Sequence, residues 1–150
     1  MKKYWVMKTF KDWWDTFQKK SVIGIDEDGV DKDYTTFPKA EIITLIGDTT
    51  NNFGEYHNRV FQEFCKWMQV DDLVIIGTGQ TTDFNIAGIV RVSGNYFFSP
   101  TAVPRHLRDV EIMKVFAPEI SMRRFMRTPR LERIDEADFH ESLISILKNA

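Results

Sequence analysis

Eight arginines fall between residues 91 and 133: Arg91, Arg105, Arg108, Arg123, Arg124, Arg127, Arg130 and Arg133. The run Asn95-Tyr96-Phe97-Phe98 lies among them. A guanidinium is a planar fork that grips phosphate through parallel N–H bonds, and a flat ring stacks on an unpaired base for about 1–3 kcal/mol. Arginines interleaved with rings therefore suit nucleic acid. The net charge of −2 hides how unevenly charge is spread, because residues 91–133 hold 9 Lys/Arg against 4 Asp/Glu. Residues 1–90 hold 10 against 14, and residues 134–150 hold 1 against 4. On charge alone, a solvated basic surface paired to those acidic segments is the favoured explanation of the pattern.

Other chemistries lack their residues. His57, His106 and His140 are scattered, with no HExxH or HxH spacing, and Cys65 stands alone, so no metal site or disulfide is expected. Cys65 falls on the apolar side of a helical pattern, which suits packing rather than a nucleophile. No GxSxG occurs. Gly77-Thr78-Gly79 has no Lys-Ser or Lys-Thr end and precedes a strand, which makes it a hairpin turn rather than a phosphate loop. Glu111-Ile112-Met113-Lys114 has one residue too many for the Glu-x-Lys of a carboxylate nuclease. No catalytic residue and no cofactor are expected.

The elements that must position these groups follow from periodicity. Residues 4–10 read as a strand and 11–20 as a short helix with Trp13, Trp14 and Phe17 on one flank. Residues 22–25 read as a second strand and 26–33 as an acidic loop. A helix is expected to start near Thr36 and Pro38, with Ile42, Ile43, Leu45 and Ile46 inward. Residues 54–68 read as the plainest helix, its buried side formed by Val60, Phe61, Phe64, Trp67 and Met68.

Strands are expected over residues 73–76 and 86–92, joined by a polar connection and followed by the aromatic cluster. Gly88 inside the second run marks a bulge or bend of the kind that curls a sheet. Residues 106–116 read as a further strand facing a core with Leu107, Val110, Ile112 and Val115, and residues 118–126 as a short basic helix. Asp135 is placed as the N-cap of a final helix over about 135–149.

At 150 residues the chain is expected to form one domain, with no run near the ~18 apolar residues of a membrane span. A soluble, cytoplasmic protein is expected, a lone cysteine suiting a reducing compartment. Successive strand residues face opposite ways, so Tyr4 and Trp5 diverge, and adjacent Trp13 and Trp14 cannot share one buried helix face. At least one large ring must turn toward a surface or pocket. Trp5, Phe61, Phe64 and Trp67 are expected in the core.

The order of Tyr4-Trp5-Val6-Met7-Lys8, a helix, Val22-Ile23-Gly24-Ile25, a second helix and Val70-Asp71-Asp72-Leu73-Val74 resembles the EVE, YTH and Mrr N-terminal-like branches of the PUA superfamily. Gly88-Ile89-Val90, Gly94-Asn95-Tyr96-Phe97-Phe98-Ser99-Pro100 and Pro104-Arg105-His106-Leu107-Arg108-Asp109-Val110 are similar to the recognition domains of modification-dependent restriction systems of the Mrr and McrB kinds. The resemblance implies an α+β fold, a small, strongly curved β-barrel flanked by helices. It also implies a non-catalytic reader that extrudes a modified base or takes it from a single strand, sandwiches it between aromatic side chains and reads its polar edge.

Lys8-Thr9-Phe10 resembles the Lys-Ser-Tyr that ends the first strand of YTH domains. Those families place a tryptophan after the second strand, where this chain has Gly24-Ile25-Asp26, so Trp13, Trp14 or Tyr34 is expected to replace that ring. The implied modified-base pocket comprises Phe10, Trp13, Trp14, Ile25, Asp26, Tyr34 and Tyr96, with Asp26 reading an exocyclic amine. The implied backbone contacts are Arg91, Arg105, Arg108, Arg123, Arg124 and Arg127. The expected partner is modified, methylated double-stranded DNA, with a GTPase or nuclease supplied by a partner or a longer parent chain. An RNA-modification binder and a protein-binding adaptor remain the alternatives.

Overall fold

The structure is a computed structural model and describes residues 2–27, 30–36, 55–79, 83–122 and 130–149. Six strands form one sheet: β1 Tyr4–Lys8, β2 Val22–Ile25, β3 Leu73–Thr78, β4 Asn85–Phe98, β5 His106–Ser121 and β6 Leu131–Ile134. Their order across the sheet is β2-β5-β4-β3-β1-β6. Three helices are described: α1 Lys11–Lys20, α2 Glu55–Gln62, and α3 Glu136–Asn149. Only β1 and β3 run parallel, with Lys8 level with Gly77; the other pairs are antiparallel. The α+β class and the strong curvature expected of the chain are both present.

Alternation along the inner strands explains the layering. In β1, Trp5 and Met7 join one buried cluster with Trp14 and Phe17 of α1 and with Val60 and Phe61 of α2. Val6 and its neighbour Ile75 join a second cluster with Phe139 and Ile146 of α3. Both faces of the central strands are thus covered, which is why they read as continuous apolar runs rather than alternating ones. The register shifts four times along the long strands, once between Ile76 and Gly77 and three times between β4 and β5. Such bulges increase local twist and bend the sheet.

The curl brings the two edge strands together. Arg130, just before β6, donates to the backbone oxygen of Asp26, just after β2. Its other terminal nitrogen binds the Glu27 carboxylate. One guanidinium therefore clasps opposite edges of the same sheet.

Gly88 is explained by contact rather than conformation. A Cβ there would meet Trp14 Cζ2 at 2.4 Å and the Lys114 carbonyl oxygen at 2.8 Å. The α1 indole lies directly on the β4 backbone.

Several elements differ from expectation. The Asn95–Phe98 cluster lies inside β4 rather than after a shorter strand, with Tyr96, Phe97 and Phe98 paired to Arg108, Leu107 and His106. β5 continues to Ser121, so the start of the expected basic helix is strand, held by pairing of Ile120 with Ile86. Pro118 is tolerated there because β2 pairs with β5 only from His106 to Asp109, leaving Pro118 where no described strand needs its missing N–H. The expected core role of Val115 also fails, as it lies exposed beyond that covered stretch.

The expected 54–68 helix is α-helical over α2 and then widens into a π-helical stretch, Glu63–Trp67. The wider turn rotates the residues that follow, so Phe64 and Cys65 are both buried while Trp67 is 42% exposed. Trp67 is not a core residue. Asp135 does cap α3, its Oδ1 accepting the Asp138 N–H at 2.7 Å. The helix expected after Pro38 and the end of the expected basic helix lie outside the described residues. No described helix is long and apolar enough to cross a membrane.

Candidate nucleic-acid interface

The C-terminal ends of β1, β2 and β3 meet where Arg130 closes the seam. Two hydrogen bonds hold the chain leaving β1: Lys8 N–H to the Arg130 carbonyl at 3.0 Å and Thr9 N–H to the Gly77 carbonyl at 2.9 Å. Thr9 is buried, and its hydroxyl has no hydrogen-bond partner among the described residues. A buried hydroxyl left unpaired is costly and calls for an explanation. Beside it, Phe10 is 66% exposed. Its ring stands edge-on to Trp13, with centroids 4.9 Å apart and planes at 87°. Phe10 precedes the first turn of α1, and its carbonyl accepts the Trp14 N–H at 3.0 Å.

Charged groups around this surface, the Phe10–Trp13 mouth, are paired with one another. Arg105 holds Asp26 side-on, with Nη2 to Oδ1 at 2.6 Å and Nε to Oδ2 at 2.9 Å. The Arg105 backbone N–H and the Glu27 N–H add bonds of 2.9 and 2.8 Å to the same carboxylate. Burial raises the Asp26 pKa, but the Arg105 bonds and the Glu27 N–H outweigh it and hold the carboxyl below its ordinary value. A carboxylate offers about four lone-pair sites, and all are engaged. Asp26 thus anchors β2 to β5 instead of offering a free acceptor to a base. On the neighbouring rim, the Thr78 hydroxyl lies 2.9 Å from both Glu119 carboxylate oxygens, and Lys11 lies 3.7 Å from that carboxylate.

Two of the expected pocket rings serve a different centre. Tyr34 and Tyr96 stack on the fully buried imidazole of His106, with centroids 5.8 and 5.9 Å away and planes within 11° and 18°. Phe61 and Phe98 close the box at 5.4 and 5.0 Å. His106 Nε2 donates to the Val30 carbonyl at 2.6 Å, a carbonyl being only an acceptor, so Nδ1 accepts from the Tyr96 hydroxyl at 2.8 Å. That hydroxyl in turn accepts the Tyr34 N–H at 3.3 Å. Burial keeps the imidazole pKa below its usual value and lifts the Tyr34 phenol to about 12. This aromatic box is already filled by a side chain of the protein.

Of the seven expected pocket residues, then, Phe10 and Trp13 stand together at the mouth. Trp14 is buried against Gly88, Ile25 is buried in the main core, and Tyr34 and Tyr96 enclose His106. Among the expected phosphate contacts, Arg91 is tied to Asp71 and Glu111 on the surface, with bonds of 2.5 Å to each. Arg105 is bound to Asp26, and Arg108 is buried with its Nη1 on the carbonyls of Phe64 and Met68. Arg123, Arg124 and Arg127 lie outside the described residues. Residue types alone missed Thr9, Arg130 and His106. Thr9 lay inside the flagged Lys8-Thr9-Phe10 motif without being given a role, whereas the partners of Arg130 and His106 are distant in sequence. Among the described residues no group of three His, Cys, Asp or Glu is placed to hold a metal ion.

A domain of unknown function, DUF8426, matches residues 6–133, and the chain belongs to that family. No curated protein matches it. Its fold is shared with solved structures of low sequence identity. A hypothetical protein from Leishmania major is 14% identical with a TM-score of 0.57, the match covering 97% of this chain and 94% of that one. A Pseudomonas putida protein is 16% identical with a TM-score of 0.56, over 94% and 97%. The YTH domain of Zygosaccharomyces rouxii MRB1, solved in complex with N6-methyladenosine RNA, is 10% identical with a TM-score of 0.52, over 97% and 86%. The curled half-barrel is thus a YTH-like fold.

Proposed function

We propose that this chain is a non-catalytic reader of a modified base in nucleic acid, which stacks the base at the Phe10–Trp13 mouth and meets its polar edge with the Thr9 hydroxyl. The observation that carries the proposal is the exposed Phe10 ring standing edge-on to the half-buried Trp13, next in the chain to a buried hydroxyl with no partner among the described residues. The likeness to a YTH domain solved with N6-methyladenosine RNA supports the same class of ligand. A hydroxyl supplies both a donor and an acceptor, and a buried methyl adds only about 1 kcal/mol, so a close-fitting wall must do the discriminating. Taking a base from a duplex costs a few kcal/mol that an unpaired strand does not impose.

The finer reading, methylated DNA bound as the targeting part of a restriction assembly with a GTPase or nuclease partner, rests on the motif resemblance of residues 88–110. Fluorescence polarisation against modified and unmodified DNA and RNA oligonucleotides tests both levels. A preference for the modified strand that disappears in Phe10→Ala and Trp13→Ala supports the reader. Equal affinity across the panel removes it, and a preference confined to RNA removes the DNA reading.

A further inference from the structure

A cavity of about 350 Å³ shares no residue with the Phe10–Trp13 mouth. Its buried wall includes Cys65, Met68, Tyr96 and Arg108, and its outer rim includes Lys66, Gln69 and Asn95. Arg108 is only 3% exposed. Its acceptors among the described residues are the carbonyls of Phe64 and Met68, both served by Nη1. The Nε of the same guanidinium is buried with no partner among the described residues. Asp72 is the carboxylate whose field reaches Arg108. Its oxygens, however, are taken by the backbone N–H groups of Lys3 and Gln69 and by the Trp5 indole.

The described residues lining the cavity include two bases and no acid. A buried cation is costly when the carboxylate whose field reaches it gives it no hydrogen bond, and arginine does not escape by losing its proton. The side of a guanidinium formed by Nε and Nη2 is a fork that grips an oxyanion through two parallel bonds, and no described group satisfies it here. Lys66 Nζ gives one bond to the Thr35 carbonyl at 2.6 Å, and an ammonium carries three N–H donors.

We propose that this cavity binds one phosphate-type oxyanion, gripped by Arg108 and met at the rim by Lys66. The group comes either from a free phosphate compound or from a phosphodiester of a bound strand, and the chemistry of the grip is the same. The site stands independently of the base reader.

Calorimetric titration of the full chain in chloride buffer tests it, with inorganic phosphate, adenosine 5′-monophosphate and a short unmodified single-stranded oligonucleotide as probes. Arg108 is too buried to serve as the sole variant, so Lys66→Gln and Asn95→Asp are used, the second placing a carboxylate at the rim. At least one probe is expected to bind, and either variant is expected to weaken it about tenfold or more. Tighter binding of the monophosphate identifies a free ligand, and tighter binding of the oligonucleotide identifies a strand phosphate. No binding of any probe, or equal affinity in the native chain and both variants, overturns the site. Neither variant should change the ratio of modified to unmodified oligonucleotide affinity, whereas Phe10→Ala should, so the two proposals fail separately.

Discussion

Replacing His106 with phenylalanine keeps a flat ring in the aromatic box but removes both nitrogens. The Val30 carbonyl then loses its donor and the Tyr96 hydroxyl its acceptor, bonds of 2.6 and 2.8 Å in the native chain. An unsatisfied buried group costs about 1–3 kcal/mol. The Tyr96 hydroxyl still accepts the Tyr34 N–H, so the expected loss for His106→Phe is about 2–4 kcal/mol, read from urea unfolding near neutral pH. The same ring predicts a pH dependence. Because burial holds its folded pKa below the usual 6.5, the unfolded chain binds the proton first as pH falls. This contribution to stability is therefore complete above about 6.5 and is lost as pH drops toward the folded value, at about 1.4 kcal/mol for each unit of depression. The phenylalanine variant should lack that slope. A variant as stable as the native chain, or one that keeps the native slope over this window, would refute the arrangement of bonds and tautomer.

Phe10→Ala and Trp13→Ala should each weaken binding of the modified oligonucleotide by about 1–3 kcal/mol, roughly 5- to 150-fold, if each ring stacks on the base. Gly88→Ala should destabilise by about 1–3 kcal/mol in urea unfolding, because the added methyl meets both Trp14 and the Lys114 carbonyl. Arg105→Gln should weaken acid resistance: the native Asp26 contribution is present above its unfolded pKa and lost as pH falls through its lowered folded value, and without Arg105 that loss should begin at higher pH. An unchanged acid-unfolding midpoint would count against the Asp26–Arg105 pairing. Arg91→Ala should leave the urea-unfolding midpoint nearly unchanged, since its pairs with Asp71 and Glu111 are solvent-exposed.

Much of the fold was legible because it depends on local pattern. Lys11–Lys20, Val22–Ile25 and the Asp135 cap follow from periodicity and capping chemistry, which act within a few residues. The opposition of Trp13 and Trp14 was also visible, since neighbours on a helix diverge: Trp14 is buried and Trp13 is half-exposed. Strand ends were less legible. Tyr96, Phe97 and Phe98 belong to β4 because β5 pairs with them, and no nearby residue announces that partner. The π-helical stretch that turns Trp67 outward likewise left no periodic signal.

The amino-acid sequence by itself determined the class of the protein: α+β, and rich in rings and guanidinium forks. Tertiary structure decided which of those groups remain available. It spent Tyr34 and Tyr96 on His106, Asp26 on Arg105 and Arg91 on Asp71 and Glu111, while leaving Phe10 and Trp13 at a surface and the Thr9 hydroxyl and Arg108 Nε without partners among the described residues. The physical reason is that a side chain's hydrogen bonds and stacking faces are finite. Whether they are already filled depends on groups brought near by the curl of the sheet, often more than sixty residues away, as with Tyr34 and Tyr96.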